Sequence, residues 1–205
     1  MKKFIINKCI NYIKKNTDYD DIKLKEIEYG IVSIYLTISK FIVISLLCYI
    51  LGIFKEMIIF TLFFNIIRLP AFGIHAKKSW MCWVSSIISF IGIPYLCTLV
   101  FLNNYIKILI CMISIILIIK NAPADTYKRP IVNKKRRKTY KIISSIIAII
   151  FSISAIIINN NFLSNCLIFA LILENILIAK TTYKIFKLPY NNYINYLKKH
   201  PELQN

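Results

Sequence analysis

Six stretches of the chain are nearly unbroken runs of Ile, Leu, Phe and Val, at 31–54, 57–67, 80–102, 105–119, 142–158 and 162–179. Their apolar positions are continuous and do not alternate with polar ones, as they would on a half-buried surface helix. A helix that crosses a bilayer needs roughly 17–25 such residues. The pattern predicts an all-α polytopic membrane protein with about six transmembrane helices. The second and fourth runs are short for a span, so their ends are the least defined. The polar residues that interrupt the pattern include Lys40 in the first run, Glu174 in the last, and Arg68-Leu69-Pro70 where the second stops. Gly92 and Pro94 lie inside the third.

Residues 1–29 differ. Phe4, Ile5, Cys9, Tyr12 and Ile13 fall near helical spacing, with Lys2, Lys3, Lys8, Lys14 and Lys15 between them. A basic amphipathic segment of this kind lies in the headgroup plane or is a solvated leader. It lacks the long apolar core of a cleavable signal peptide. The expected organisation is a single membrane-embedded domain over 1–205. Within it, 1–29 is the amphipathic segment, 30–180 the transmembrane core and 181–205 a tail. No soluble domain, linker or repeat is expected.

Composition strengthens this reading. Of the 205 residues 58% are hydrophobic, above the globular norm of about 45–50%. The formal net charge is +18, from 27 Lys and Arg against 9 Asp and Glu. The basic residues flank the apolar runs and form no domain of their own. Nucleic acid is therefore not the expected partner, and anionic lipid is. With the N-terminus cytoplasmic, the segments 1–29, 68–79, 120–141 and 180–205 all face the cytoplasm. They hold most of the Lys and Arg, including the run Lys134-Lys135-Arg136-Arg137-Lys138. The turns near Lys55-Glu56, Asn103-Asn104 and 159–161 then face outward with almost no net charge, as the positive-inside rule requires.

The candidate chemistry lies where the second run ends, in Arg68-Leu-Pro-Ala-Phe-Gly-Ile-His75-Ala-Lys-Lys-Ser-Trp-Met-Cys82. Cysteine with histidine is the minimum set for thiol nucleophilic catalysis. On one straight helix the seven residues from His75 to Cys82 span ~10 Å of rise, beyond hydrogen-bond reach. A direct pair needs a break, and Pro70 and Gly73 disfavour a continuous helix. Ser79 is a candidate N-cap that places Cys82 in a first helical turn, where unpaired amides and the helix dipole favour a thiolate. Lys77 and Lys78 add positive charge. The other cysteines, Cys9, Cys48, Cys97, Cys111 and Cys166, read as small core hydrophobes.

Two histidines, His75 and His200, allow no HExxH zinc site, and no metal or cofactor is expected. Arg68 is suited to a carboxylate or an oxyanion, or to anchoring at the interface. Asp125 orients His75 or caps a helix. Glu174 and Lys40, rare charges inside spans, are candidates for a pair.

These residues resemble the accessory gene regulator B (AgrB) family. The resemblance is carried by Arg68 with Phe72-Gly73-Ile74-His75-Ala76-Lys77 and Cys82, and by Ala122-Pro123-Ala124-Asp125-Thr126 with Arg129-Pro130-Ile131. Glu28-Tyr29-Gly30 fits more weakly. It covers about 26–180. Phe72 departs from it, because many members carry a second glycine there. The resemblance implies a membrane cysteine endopeptidase with Cys82 as nucleophile and His75 as general base. Its expected substrate is an AgrD-like quorum-sensing propeptide with an amphipathic leader and an acidic tail. The enzyme cuts off that tail, holds the acyl group as a thioester and supports cyclisation to a thiolactone or lactone autoinducing peptide. Arg68, Gly73, Asp125 and Glu174 are expected to bind substrate or support the site. A homodimer in the bacterial cell membrane, with both termini cytoplasmic, is also implied. The competing reading is a non-enzymatic peptide exporter or scaffold.

Overall fold

The computed structural model describes residues 6, 8, 10–14, 17, 19–74, 79–125 and 130–199, with backbone alone at 21–23, 25, 26, 29, 33 and 79. His75, Lys77, Lys78, His200, Cys9, Thr126 and Arg129 lie outside the described residues. The chain divides into two compact units, 1–52 and 53–205.

In the first unit, residues 10–14 are helical, and helix α1 runs over Asp21–Ile50. Only Gly30–Ile50 is apolar enough to cross a membrane. The charged stretch before it, assigned above to the amphipathic segment 1–29, continues the same helix. Its Lys, Leu and Glu residues are good helix formers, and the first-turn amide of Leu24 donates to the Asp20 carbonyl at 3.0 Å. At the other end the Gly52 amide donates to the Tyr49 carbonyl at 3.1 Å. Gly52 has φ +71, the left-handed conformation that stops helices and that glycine adopts without strain. The turn thus falls just before Lys55 and Glu56, which open the next helix.

The second unit begins with α2, Phe54–Ala71. Helix α3, Ser79–Ile87, passes through a π-helical segment, Ile88–Gly92, into α4, Ile93–Leu99. Pro94 explains the irregularity: its ring clashes with the carbonyl one turn earlier, and a widened turn relieves the clash. Then follow α5, Asn104–Asn121, α6, Lys134–Ile157, and α7, Asn161–Ile178. Two short helices close the chain, α8, Lys180–Ile185, and α9, Asn192–Lys199. Asparagine caps three of the long helices. Asn103, Asn133 and Asn160 accept from the amides of Ile106, Arg136 and Leu163 at 2.9, 3.0 and 3.0 Å, which satisfies donors that a helix start leaves orphaned.

Among the described residues five helical spans are long and apolar enough to cross a bilayer: α1, α3 with α4, α5, α6 and α7. Helix α2 has the same 18-residue length as α5 and α7, but carries Lys55, Glu56 and Arg68. The chain is an all-α, multi-pass membrane protein. Within the second unit α7 is the central helix and packs on α2, α4, α5 and α6. Ser144, Ala148, Ser152 and Ala155 form a buried small-residue stripe on α6. Small side chains allow close helix approach where lipid removes the hydrophobic drive to associate. Ile67, Ile118, Phe151, Ile168 and Leu171 fill the core between them. The outward isoleucines of α5 and α6, such as Ile116 and Ile150, are 61% and 53% exposed, an apolar surface suited to acyl chains.

Candidate functional site

Helix α2 continues through Pro70 and ends at Ala71. Phe72 then takes φ 62 and ψ −123, and Gly73 takes φ +104. Both lie in left-handed territory that side chains disfavour. The break expected before His75 is therefore present, and Phe72 follows a glycine-like path despite its side chain. Its ring packs edge-on against Tyr140, with centroids 5.0 Å apart.

Neighbouring backbone holds this irregular segment in place. The Ala124 amide donates to the Ala71 carbonyl at 2.9 Å, and the Gly73 amide donates to the Ala124 carbonyl at 2.8 Å. Phe72 and Ala124 form an isolated parallel bridge. The Ile74 amide donates to the Leu177 carbonyl at 3.1 Å. That carbonyl lies in the last turn of α7, where helix acceptors lack an internal partner.

Arg68 closes the lock. Its Nη1 donates to the Phe72 carbonyl and its Nη2 to the Ile74 carbonyl at 2.7 Å. Nη1 also faces Glu174 Oε1 at 3.4 Å. Glu174 is fully buried on α7, and its Oε2 has no hydrogen-bond partner among the described residues. Within this unit the cation facing Glu174 is Arg68. Gly73 sits between these groups. A Cβ there would lie 2.9 Å from the Leu177 oxygen and in collision with Arg68 Nη1. The sequence forms the lock because a planar, forked guanidinium reaches two carbonyls and a carboxylate at once, which a lysine ammonium on its flexible stem does not match.

Cys82 lies in the first described turn of α3, and its thiol is half-buried. The other described cysteines, Cys48, Cys97, Cys111 and Cys166, are buried. Their expected role as core hydrophobes agrees with that burial. His75 follows the anchored Ile74 directly, outside the described residues. The Ser79 side chain, expected as a cap, is also outside them. Among the described residues no cluster of His, Cys, Asp and Glu is arranged to hold a metal.

Asp125 is fully buried beside the lock. Its Oδ2 accepts the Tyr193 amide at 2.7 Å, and its carbonyl accepts the Tyr183 hydroxyl at 2.9 Å. It thus caps a helix, α9, while the other reading, orientation of His75, lies outside the described residues. Burial pushes its carboxyl above the usual aspartate range, opposed by the Tyr193 amide and the Arg137 guanidinium. Arg137 stacks over the Tyr193 ring, 3.6 Å from its centroid. Sequence reasoning missed Tyr183, Tyr193 and Arg137 as a group. Their signal was faint: a tail with tyrosines spaced between lysines.

The basic run Lys134–Lys138 is the N-terminal part of α6, not an extended loop. Five cations at a helix N-terminus, where the dipole is already positive, concentrate positive potential. Asn133, Lys135, Arg136, Thr139 and Tyr140 line a shallow cleft of about 310 Å³ there. Tyr140 is shared between this cleft and Phe72.

A multi-pass helical membrane protein that fixes a short irregular backbone segment between a largely buried arginine and a cysteine outside any disulfide is the class defined so far. Comparison with known proteins makes it specific: the family model for accessory gene regulator B matches residues 6–178, and the chain belongs to that family. It is 30% identical over 184 residues to an AgrB-like protein of Clostridium acetobutylicum, covering 90% of this chain and 88% of that one. It is 36% identical over 150 residues to accessory gene regulator protein B of Staphylococcus aureus strain Newman, covering 72% of this chain and 79% of that one. The S. aureus strain MRSA252 protein of the same name is 33% identical over 150 residues, covering 72% and 80%. No solved structure matches. Family membership gives the protein an accessory gene regulator role in quorum sensing.

Proposed function

We propose that the protein is a membrane cysteine endopeptidase that cleaves the C-terminal tail from an AgrD-like propeptide. The observation that carries this reading is the locked backbone at 72–74. It delivers the chain to His75 along a fixed path, seven residues before a half-buried thiol in the first described turn of a helix. Such a lock suits a site whose reacting groups must be held in register.

In this mechanism His75 takes the Cys82 proton, and the thiolate attacks the scissile carbonyl carbon. The C–N bond breaks, and His75 returns the proton to the departing amine. The leader and signal sequence remain on Cys82 as a thioester. A thiol or hydroxyl within the bound peptide then attacks that carbonyl. Cys82 leaves as thiolate and regains a proton, and the product is a thiolactone or lactone. Exchange between thioesters is nearly balanced in energy, so water must be kept away, and a membrane-rim site favours this. Arg68, Glu174 and Gly73 hold the backbone rather than the substrate, because the guanidinium already has three protein partners.

The cationic start of α6 and its cleft draw in the acidic tail, and Tyr140 links that cleft to Phe72. Placement of the basic segments supports a bacterial cell-membrane protein with cytoplasmic termini and contact with anionic lipid. The family resemblance further implies a homodimer. The test is cleavage of the propeptide by Cys82→Ala and His75→Ala in intact membranes. Both should be inactive while inserted at normal abundance, and Cys97→Ala should remain active. Unchanged processing by Cys82→Ala removes the enzyme reading in favour of an exporter or scaffold.

A further inference from the structure

Beyond the lock itself, one buried carboxylate joins the end of the chain to the site. The Tyr193 amide donates to Asp125 Oδ2 at 2.7 Å, with the Asn192 amide assisting. The Tyr183 hydroxyl donates to the Asp125 carbonyl at 2.9 Å. The Tyr190 hydroxyl donates to Asn121 Oδ1 at 3.3 Å, and the Tyr183 and Tyr190 rings pack edge to face at 5.3 Å. Residue 124, next in the chain, makes both backbone bonds to Ala71 and Gly73. A continuous set of hydrogen bonds thus runs from α9 through 121–125 to the segment that precedes His75. Arg137, stacked on Tyr193, also donates to Asn191 Oδ1 at 3.4 Å.

We infer that Asp125 is a positioning residue for the proposed cleavage, and that the C-terminal segment ending in α9 is part of the active-site scaffold through it. The physical reason is that a short non-helical stretch such as 122–125 fixes no backbone path by itself. Here the loop is fastened on one side to the 71–74 backbone and on the other to α9. A carboxylate taking first-turn amides caps that helix with a full charge. Asp125 touches no substrate in this account. It acts by keeping Ala124 where Gly73 needs it.

The inference rests on the proposed peptidase reading, so the assay includes Cys82→Ala as a separate arm. Full-length variants are compared in membrane vesicles for propeptide cleavage per inserted molecule, with propeptide titrated to separate kcat from KM. Asp125→Ala should lower kcat about tenfold with KM little changed, as expected for loss of a buried charge-assisted hydrogen bond that sets geometry. Asp125→Asn, which keeps an acceptor for the Tyr193 amide, should restore most of the rate. Tyr193→Pro removes the donor N–H and the ring within the first turn of the helix, the turn in which proline is tolerated. It should match Asp125→Ala, and the double variant should be no worse than either single. Tyr193→Ala keeps the N–H and should stay close to wild type.

Wild-type kcat in Asp125→Ala or Tyr193→Pro, multiplied losses in the double variant, failure of Asp125→Asn to recover, or equal loss in Tyr193→Ala would each overturn the inference. If Asp125→Ala does not accumulate, Tyr183→Phe, which removes one hydroxyl, is judged on kcat in the same way. An active Cys82→Ala strikes the peptidase reading itself, whereas an inactive one beside unaffected Asp125 and Tyr193 variants strikes only this inference.

Discussion

Helix α7 buries polar groups at both ends, and the two ends use them differently. At its start, Lys107 of α5 donates to Ser164 at 2.8 Å, and Ser164 donates to the Ala155 carbonyl of α6 at 2.6 Å. Asn165 donates to the carbonyls of Cys97 and Val100 at 3.0 and 2.7 Å. These bonds chiefly tie regular helices to one another. Some ten residues on, or ~15 Å along the axis, Glu174 faces Arg68, and Arg68 grips the carbonyls of Phe72 and Ile74. There the polar groups fix backbone that belongs to no helix. A buried cation is thus no sign of a site by itself. What distinguishes the proposed site is a cation that holds an irregular segment directly before the proposed general base.

Gly73→Ala attacks the second end most severely. A Cβ meets the Leu177 oxygen and the guanidinium, and φ +104 strains any side chain. Displacing the segment by even about an ångström is expected to cut cleavage about a hundredfold or more, measured per inserted molecule. Survival of activity would show that the 72–74 path is not required.

Next in size is a matched pair, Glu174→Gln and Lys107→Met. Stranding one partner of a buried ion pair costs roughly 3–5 kcal/mol. Arg68, with a side chain 17% exposed and two carbonyls still held, should lose less. Glu174→Gln is expected to lower cleavage about tenfold. Lys107→Met replaces a buried amine by a flexible apolar chain, a change that is often neutral or stabilising. It should leave cleavage within about twofold and keep or raise the thermal midpoint. The reverse ranking would erase the distinction between the two ends.

The smallest effect is expected at Phe72. Its left-handed conformation costs of order 1–3 kcal/mol, offset by a ring contact with Tyr140 worth about 0.5–1.5 kcal/mol. Phe72→Gly should therefore keep or slightly raise the thermal midpoint and leave cleavage within about threefold. Phe72→Val, β-branched at positive φ, should lower both.

Much of this architecture was legible in the sequence, because bilayer length and apolar continuity are local properties. Gly73 announced the break before His75 for the same reason, whereas α2 runs on through Pro70. Pairings across the chain were not legible. Glu174 and Arg68 are 106 residues apart, and rarity alone suggested Lys40 as a partner instead. Lys107 sits inside the fourth apolar run and went unremarked, although charges at that depth are usually engaged. The docking of α9 on Asp125 was hidden because a cap supplied from about 68 residues away leaves no local motif. The π-helical segment before Pro94 left only the proline itself as a sign.

In the proposed mechanism Cys82 carries the cleaved peptide as a thioester, and everything else depends on that step. The most direct measurement is the intact mass of the full-length protein purified after co-expression with its propeptide under acidic quench. The expected result is a hydroxylamine-sensitive adduct on Cys82 equal to the propeptide without its C-terminal tail and less one water, absent in Cys82→Ala. Tail release with no such adduct at any time, or an adduct on another residue, would contradict it.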